Sequence, residues 1–286
     1  MSGNPHRFNR SLAFALALGV AAVAPLAIAA QAPAAQPAAA SSDVTIDGAL
    51  AGTWRSDANR ARDAARHPAA TLRFFDVRPD QTVIEITPGG GWYSEVLAPL
   101  LRDRGHYIAA VAAPTDKESR SEDSAIKRKF AADPADYGRA ALVEFDPHAP
   151  VFGPPASADR VLTFRNVHNW GPGASAMFKA FFDVLKPGGV LGVVDHRAAK
   201  GASYESVRKS GYLPTAYIVK LATDAGFKLD ASSEINANPR DTKDHAKGVW
   251  TLPPTYAMGE TDKAKYAAIG ESDRMTLRFV KPAAAR

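Results

Sequence analysis

The residues able to do chemistry in this chain gather just after short apolar runs. Glu85 lies in Val83-Ile84-Glu85-Ile86, ahead of Thr87-Pro88-Gly89-Gly90-Gly91-Trp92-Tyr93. A carboxylate there can cap the turn by accepting glycine N–H groups, or it can hold a ligand's ammonium group. Bare glycine backbone admits a ligand closely, and a helix start offers free N–H groups. A side chain at Gly91 is expected to project into the ligand's space or to strain the backbone. Of Trp92 and Tyr93, one is expected to pack in the core and the other to wall a pocket. Asp146 precedes Pro147 and reads equally as a turn residue or a ligand contact. Arg165-Asn166-Val167-His168 offers a histidine that is either a hydrogen-bonded structural residue or a base near neutral pH. Asp195-His196-Arg197 offers a carboxylate to orient a side chain, with His196 as a second base or a substrate contact.

These groups need strand tips to position them. Thr82–Leu101 reads as a β-branched strand, a glycine turn and an apolar helix, with Pro99 expected to kink the helix because it cannot donate to the Glu95 carbonyl. Further strands are expected over 105–112, 140–145, 160–164, 190–195, 227–235 and 275–280, with helices over 121–131, 174–185 and 215–225. Lys186-Pro187-Gly188-Gly189 should stop the helix before strand five. Upstream, 46–67 reads as one polar helix and 69–75 as a short second one. The long stretch 236–271 lacks periodicity and is expected to fold over the strand tips as a lid or insert. Strands alternating with helices predict an α/β, doubly wound, mostly parallel sheet whose ligand sits beyond the strands' C-terminal ends.

Composition narrows the chemistry. There is no cysteine, which excludes disulfides and a thiol nucleophile. The formal charge is +5, with scattered basic residues, and Lys127-Arg128-Lys129 reads as a solvated helix face rather than a nucleic-acid patch. Asp244, His245, His168 and His196 have no ligand spacing, so no metal is expected. No G-x-S-x-G elbow occurs. Ser94 stands where a dinucleotide fingerprint wants its third glycine.

The N-terminus reads as an export signal. His6, Arg7 and Arg10 precede an apolar run, and Ala27-Ile28-Ala29 fits a cleavage site near residue 30. Removing residues 1–30 would take Arg7 and Arg10 and no acid, lowering the formal charge from +5 to +3. Residues 31–45 read as a disordered linker rich in Ala, Pro, Gln and Ser, and 46–286 as the folded domain. The expected location is the periplasm, without stable membrane insertion after cleavage.

VIEITPGGGWYSEVLAPLL, FRNVHNW, LKPGGVLGVVDHRA and GESDRMTLRFVKP, with the upstream RARDAARHPAATLRFF, resemble an exported bacterial group of class I S-adenosylmethionine-dependent methyltransferases. The resemblance implies a Rossmann-like seven-stranded sheet with an antiparallel last strand, and S-adenosylmethionine as cofactor. It carries over to Glu85, Gly89 and Gly91, with Asp146 matching the acid after strand three, and it places Arg165, Asn166 and His168 near the methyl. Together with the residue reading this gives Glu85, Thr87, Gly89, Gly91, Trp92, Tyr93, Asp146, Arg165 and Asn166 as expected cofactor contacts and His168, His196 and Asp195 as expected catalytic residues. Thr87 replaces a usual glycine. The acid expected after strand two is missing, with Ala112-Ala113-Pro114 in its place and Asp116 the nearest candidate. The acceptor, a small molecule or otherwise, and the oligomeric state stay open. An exported, non-catalytic binding protein on the same fold is the alternative.

Overall fold

A computed structural model describes residues 44–113 and 117–283, with the backbone alone for 117–124. The export signal, most of the linker and Asp116 lie outside these residues. Among the described residues, no helix is long and apolar enough to cross a membrane. The chain opens with α1 (Ile46–Ala51), α2 (Asp57–Arg60), α3 (Asp63–Arg66) and α4 (Pro68–Phe74). It continues with β1 (Thr82–Ile86), α5 (Ser94–Leu101), β2 (His106–Ala112), α6 (Lys117–Ala132), α7 (Pro134–Tyr137) and β3 (Ala141–Phe145). Then come β4 (Ala158–Phe164), α8 (Ala174–Val184), β5 (Leu185–His196), α9 (Tyr204–Val207) and α10 (Thr215–Asp224). β6 (Lys228–Ser233), α11 (Lys263–Ile269) and β7 (Arg274–Val280) complete it.

The seven strands form one sheet in the order β3-β2-β1-β4-β5-β7-β6. β1 through β5 pair in parallel, and β7 runs antiparallel to both of its neighbours. This is the Rossmann-like, doubly wound arrangement expected. Alternation along β1 divides its side chains between two cores. Ile84 and Ile86 join Val161, Val193 and the α8 and α10 residues Phe178, Phe181 and Ile218. Val83 joins Leu162, Val194 and the α4 and α5 residues Leu72, Val96 and Leu97 on the other face. Phe178 and Phe181 are fully buried, each contributing about 1.5–3 kcal/mol. The C-terminal ends of β1, β4 and β5 and the start of β7 share one edge, which brings residues distant in sequence together.

Four local features go beyond the sequence reading or depart from it, and each has a physical cause. The polar helix expected over 46–67 is three short helices. Ser56 restarts the chain by accepting from Asn59 N–H, and the Gly52 backbone lies so close to the Trp54 ring that a Cβ would overlap it at 2.0 Å. The segment is also not solvated, since Arg55 is buried in a bidentate pair with Asp63 at 2.6 and 2.8 Å. Pro99 stays inside α5, and the Glu95 carbonyl it leaves free accepts the Trp54 indole N–H at 2.8 Å. The LKPGG stretch belongs to β5, where the register shifts across Leu185–Val190, and Gly188, at φ +79°, donates to the Lys281 carbonyl. Finally, 236–271 is built around a buried carboxylate. Buried Asp241 accepts from Tyr212 O–H and from the N–H groups of Lys243 and Asp273, and His245 Nε2 lies 2.9 Å from it.

Candidate functional site

The turn after β1 is held in an unusual backbone shape. Thr87 has φ +50°, Gly89 +58° and Gly91 +79°. A β-branched residue in the left-handed region is strained, and such strain concentrates at functional sites. Thr87 N–H donates to the Ala110 carbonyl, and Asn166 Nδ2 donates to the Ile86 carbonyl at 2.8 Å, so β2 and the β4 tip together pin the turn. A Cβ built on Gly89 or Gly90 meets no atom within 4 Å. Both glycines line a cavity of about 220 Å3, so bare backbone forms one of its walls. Gly91 differs from the expectation: its Cβ would strike Ile126 at 2.8 Å and Lys129 at 3.0 Å on α6, not enter the cavity. Its role is to let α6 pack, which Lys129 reinforces by donating to buried Glu95 at 2.6 Å. Lys129, in the basic run, is therefore a packing contact rather than part of a solvated face.

Glu85 lines the same cavity and is almost wholly buried. It does not accept from the glycines. Oε2 accepts instead from Tyr107 O–H at 2.6 Å and Ser94 O–H at 3.2 Å. Burial pushes its carboxyl up to about 7, and these two hydrogen bonds only partly oppose the rise. The group is thus poised to ionise near neutral pH.

Both aromatic residues of the turn line the cavity, and both are buried. Tyr93 stacks on Phe164 at 3.7 Å between ring centres and meets Trp92 edge-on. Trp92 donates its indole N–H to the Asn59 carbonyl and carries the Arg66 guanidinium over its ring at 4.7 Å. The N-terminal segment thereby closes the cavity with Asn59, Arg62 and Arg66. Arg66 and Arg165 also border a small neighbouring void of about 10 Å3 that Asn236 and Arg274 complete. Glu271 sits among the arginines, accepting from Arg62 Nε at 2.9 Å, Arg66 Nε at 3.1 Å and Arg274 Nη1 at 3.0 Å. Burial raises its carboxyl, but Arg66, Arg274, Arg62 and Arg165 outweigh that and hold it below the ordinary range.

A second polar cluster lies along the β4 and β5 tips. Asp195 is fully buried, and its Oδ2 accepts from Val167 N–H at 2.8 Å. Its Oδ1 accepts from His196 N–H at 2.8 Å and lies 2.9 Å from His168 Nδ1. His196 Nδ1 lies 2.6 Å from Ser272 Oγ. Burial first, then the charges of His168, Arg165, Arg274 and Arg66, push the His196 ring well below its ordinary range, so it is neutral. His168, Asp195 and His196 can each bring one ligand atom within 4.8 Å of the others, a grouping their sequence spacing does not reveal. Hydrogen bonds already engage both Asp195 oxygens and account for the arrangement. Trp250, from the 236–271 block, approaches His168 at 6.0 Å between ring centres.

Glu85, Thr87, Gly89, Trp92, Tyr93, Arg165 and Asn166 therefore meet around one cavity. Gly91 stands behind it, and His168, Asp195 and His196 form an adjoining cluster that does not line it. Asp146 is exposed at the β3 tip, where its Oδ1 accepts from His148 N–H at 2.8 Å as a turn residue. Asp244 is not near the two histidines of that cluster in hydrogen bonding; it pairs with Thr242 on the surface. Arg62, Arg66, Asn236, Glu271 and Arg274 escaped the sequence reading. The available signals were that Arg62 and Arg66 are one helical turn apart and that these two, Glu271 and Arg274 fall within the segments that carry the family resemblance. A broader concavity of about 750 Å3 beside Arg197 and Pro214 holds none of these residues, and its Arg197 is already paired with Glu234 and Asp273.

No protein-family model matches the chain, and no curated protein matches it. Solved structures do. An S-adenosylmethionine-dependent methyltransferase from Aquifex aeolicus matches with TM-score 0.51 at 14% identity, covering 77% of this chain and 93% of the other. A protein from Galdieria sulphuraria assigned as a sarcosine dimethylglycine methyltransferase matches with TM-score 0.54 at 13% identity, covering 79% and 86%. The [4+2]-cyclase SpnF matches with TM-score 0.51 at 17% identity, covering 82% and 84%. At such identities the likeness establishes the class I methyltransferase fold, and the cyclase illustrates that one fold carries more than one chemistry.

Proposed function

We propose that this chain is an S-adenosylmethionine-dependent methyltransferase with its cofactor site in the cavity under the glycine turn. The observation that carries the reading is the pairing of a bare Gly89–Gly90 wall with buried Glu85 at the tip of β1. Those groups fit the amino-acid end of such a cofactor. Glu85 would take its ammonium, and backbone N–H groups of the turn would face its carboxylate. When bound, the cofactor supplies a methyl group on a positively charged sulfur. The chain's own residues would exclude water, through Trp92, Tyr93 and Phe164, and hold the reacting groups in line, which lowers such barriers by roughly 7–11 kcal/mol in favourable cases. His168, with Nδ1 fixed by Asp195, is the group proposed to take a proton from an acceptor that carries one. His196, neutral and tied to Ser272, supports His168 rather than acting as a second base.

Cofactor affinity should depend on pH through Glu85. Below about 7 its carboxyl is protonated in the free protein, and binding an ammonium requires the proton to leave. Affinity for S-adenosylhomocysteine should therefore fall by up to about tenfold per pH unit below 7 and level off above it. Glu85→Gln should flatten the profile and lower affinity at pH 8 by about ten- to a hundredfold. Calorimetry across pH 6 to 8 tests this. A flat wild-type profile would remove Glu85 from the cofactor site.

A second reading, a binding protein without catalysis, is favoured by the apolar Ala112 and Ala113 at the β2 tip, where the ribose acid is missing. No heat with either S-adenosylmethionine or S-adenosylhomocysteine at millimolar concentration would select it. Export is part of the proposal, supported by the charged start, the apolar run and Ala27-Ile28-Ala29. N-terminal sequencing from native cells should give a chain starting near residue 30 in the periplasmic fraction. A cytosolic chain starting at Met1 would overturn it.

A further inference from the structure

Three guanidinium groups, from Arg62, Arg66 and Arg274, converge beside the cavity on a single carboxylate, Glu271, and a fourth arginine, Arg165, borders the same voids. Arg66, Arg274 and Glu271 are nearly fully buried. The carboxylate is saturated by three of the arginines, and donors are left over. Arg66 Nη2 and Arg274 Nε have no hydrogen-bond partner among the described residues. The side chain of Arg165, which lines both voids, makes no hydrogen bond or ion pair with a described residue. Its backbone, moreover, is held at φ +64°, a costly conformation for a side-chain-bearing residue, and its N–H donates to the Val194 carbonyl.

The local charge is +3, and Glu85 across the cavity can supply at most one further negative charge. An excess of buried cations costs several kcal/mol per group unless a partner compensates it. Planar guanidinium forks match carboxylate and phosphate oxygens. The proposed cofactor does not balance this excess. Its sulfonium and ammonium outweigh its one carboxylate, so it arrives with a net charge of about +1.

We propose that the arginine cluster receives an oxyanion group, a carboxylate or phosphate, carried by the methyl acceptor, so that the acceptor is an anionic small molecule. The assignment to an acceptor rests on the methyltransferase reading; the binding of an anion does not. Arg165 is the key contact, with Arg66 beside it on the Trp92 face. Glu271 holds the cluster together, and Trp92 and Tyr93 supply an aromatic wall for the rest of the molecule.

The test is calorimetry on the chain from residue 31 onward in low-salt buffer, with inorganic phosphate and phenyl phosphate as probes and phenol as the uncharged control. Both phosphates should bind and phenol should not. Arg165→Gln should weaken phosphate binding by about tenfold or more, because a charge-assisted pair is lost. It removes no hydrogen bond from the free protein, so the variant should fold. Arg278→Gln, whose partner Asp230 lies on the β6 edge, should bind like the wild type. S-adenosylhomocysteine, titrated separately, should bind the wild type within about threefold with and without saturating phosphate. Absence of phosphate binding, or equal binding by Arg165→Gln, would overturn the anion site even where S-adenosylhomocysteine binds. Competition between the two ligands would assign the cluster to the cofactor's carboxylate and overturn the acceptor assignment. Phosphate binding without S-adenosylhomocysteine binding would leave the anion site standing and sink the methyltransferase reading.

Discussion

Gly90→Val should abolish S-adenosylhomocysteine binding with the fold intact, while the same change one residue later should damage the fold. Gly90 lies outside the left-handed region, lines the cavity, and would place its new side chain in open space. That space is where the ligand is proposed to meet bare backbone. Losing the close approach should cost about 3 kcal/mol or more, roughly a hundredfold in affinity. Gly91 has φ +79°, which costs a residue with a Cβ about 1–2 kcal/mol. Its Cβ would also press on Ile126 and Lys129, and forcing atoms into such a contact typically costs about 1–3 kcal/mol. Gly91→Val should therefore lose roughly 2–5 kcal/mol of stability. Calorimetric binding and denaturant unfolding on both variants separate the effects. Undiminished binding by folded Gly90→Val would mean that the ligand does not lie against the turn.

The fold was legible because its signals are local. Apolar runs such as Val83–Ile86 and stops such as Gly89–Gly91 specify strand and turn without reference to the rest of the chain. The corner holding Glu85, Thr87 and Asn166 was legible for the same reason, since strand tips in this topology share one edge. The charges were not. Arg62 and Glu271 are 209 residues apart, so nothing in the local sequence of either announces the other. The stretch 46–67 reads as one polar helix, yet Arg55 and Arg66 are buried by partners on α3, in the glycine turn and just before β7. Pro99 illustrates the same distance from the other side. Its cost is real in isolation, but the Trp54 indole satisfies the carbonyl it frees. Glu85 stands out in the sequence by its place in an apolar strand, while its partners, Tyr107 on β2 and Ser94 on α5, needed three dimensions to appear.

Asp195 and His168 should part company when each is altered, because one holds the strand tips together and the other is proposed to act on the acceptor. Asp195 is completely buried and satisfies Val167 N–H, His196 N–H and the His168 ring at once. Asp195→Ala leaves two buried N–H groups without an acceptor, at about 1–3 kcal/mol each, and loosens His168 besides. A loss of roughly 3–5 kcal/mol is expected, with unfolding at much lower denaturant. In His168→Asn, the amide nitrogen can take the place of ring Nδ1 and keep the bond to Asp195. Only the second ring nitrogen, Nε2, is lost. Stability should change by about 1 kcal/mol or less, while turnover on an acceptor that must lose a proton should fall by about 10²–10⁴. Methyl transfer from labelled cofactor to anionic compounds in a periplasmic extract supplies the assay. Undiminished turnover in folded His168→Asn would make the pair a structural tie, leaving positioning by the turn, the aromatic wall and the arginines as the whole of the catalysis.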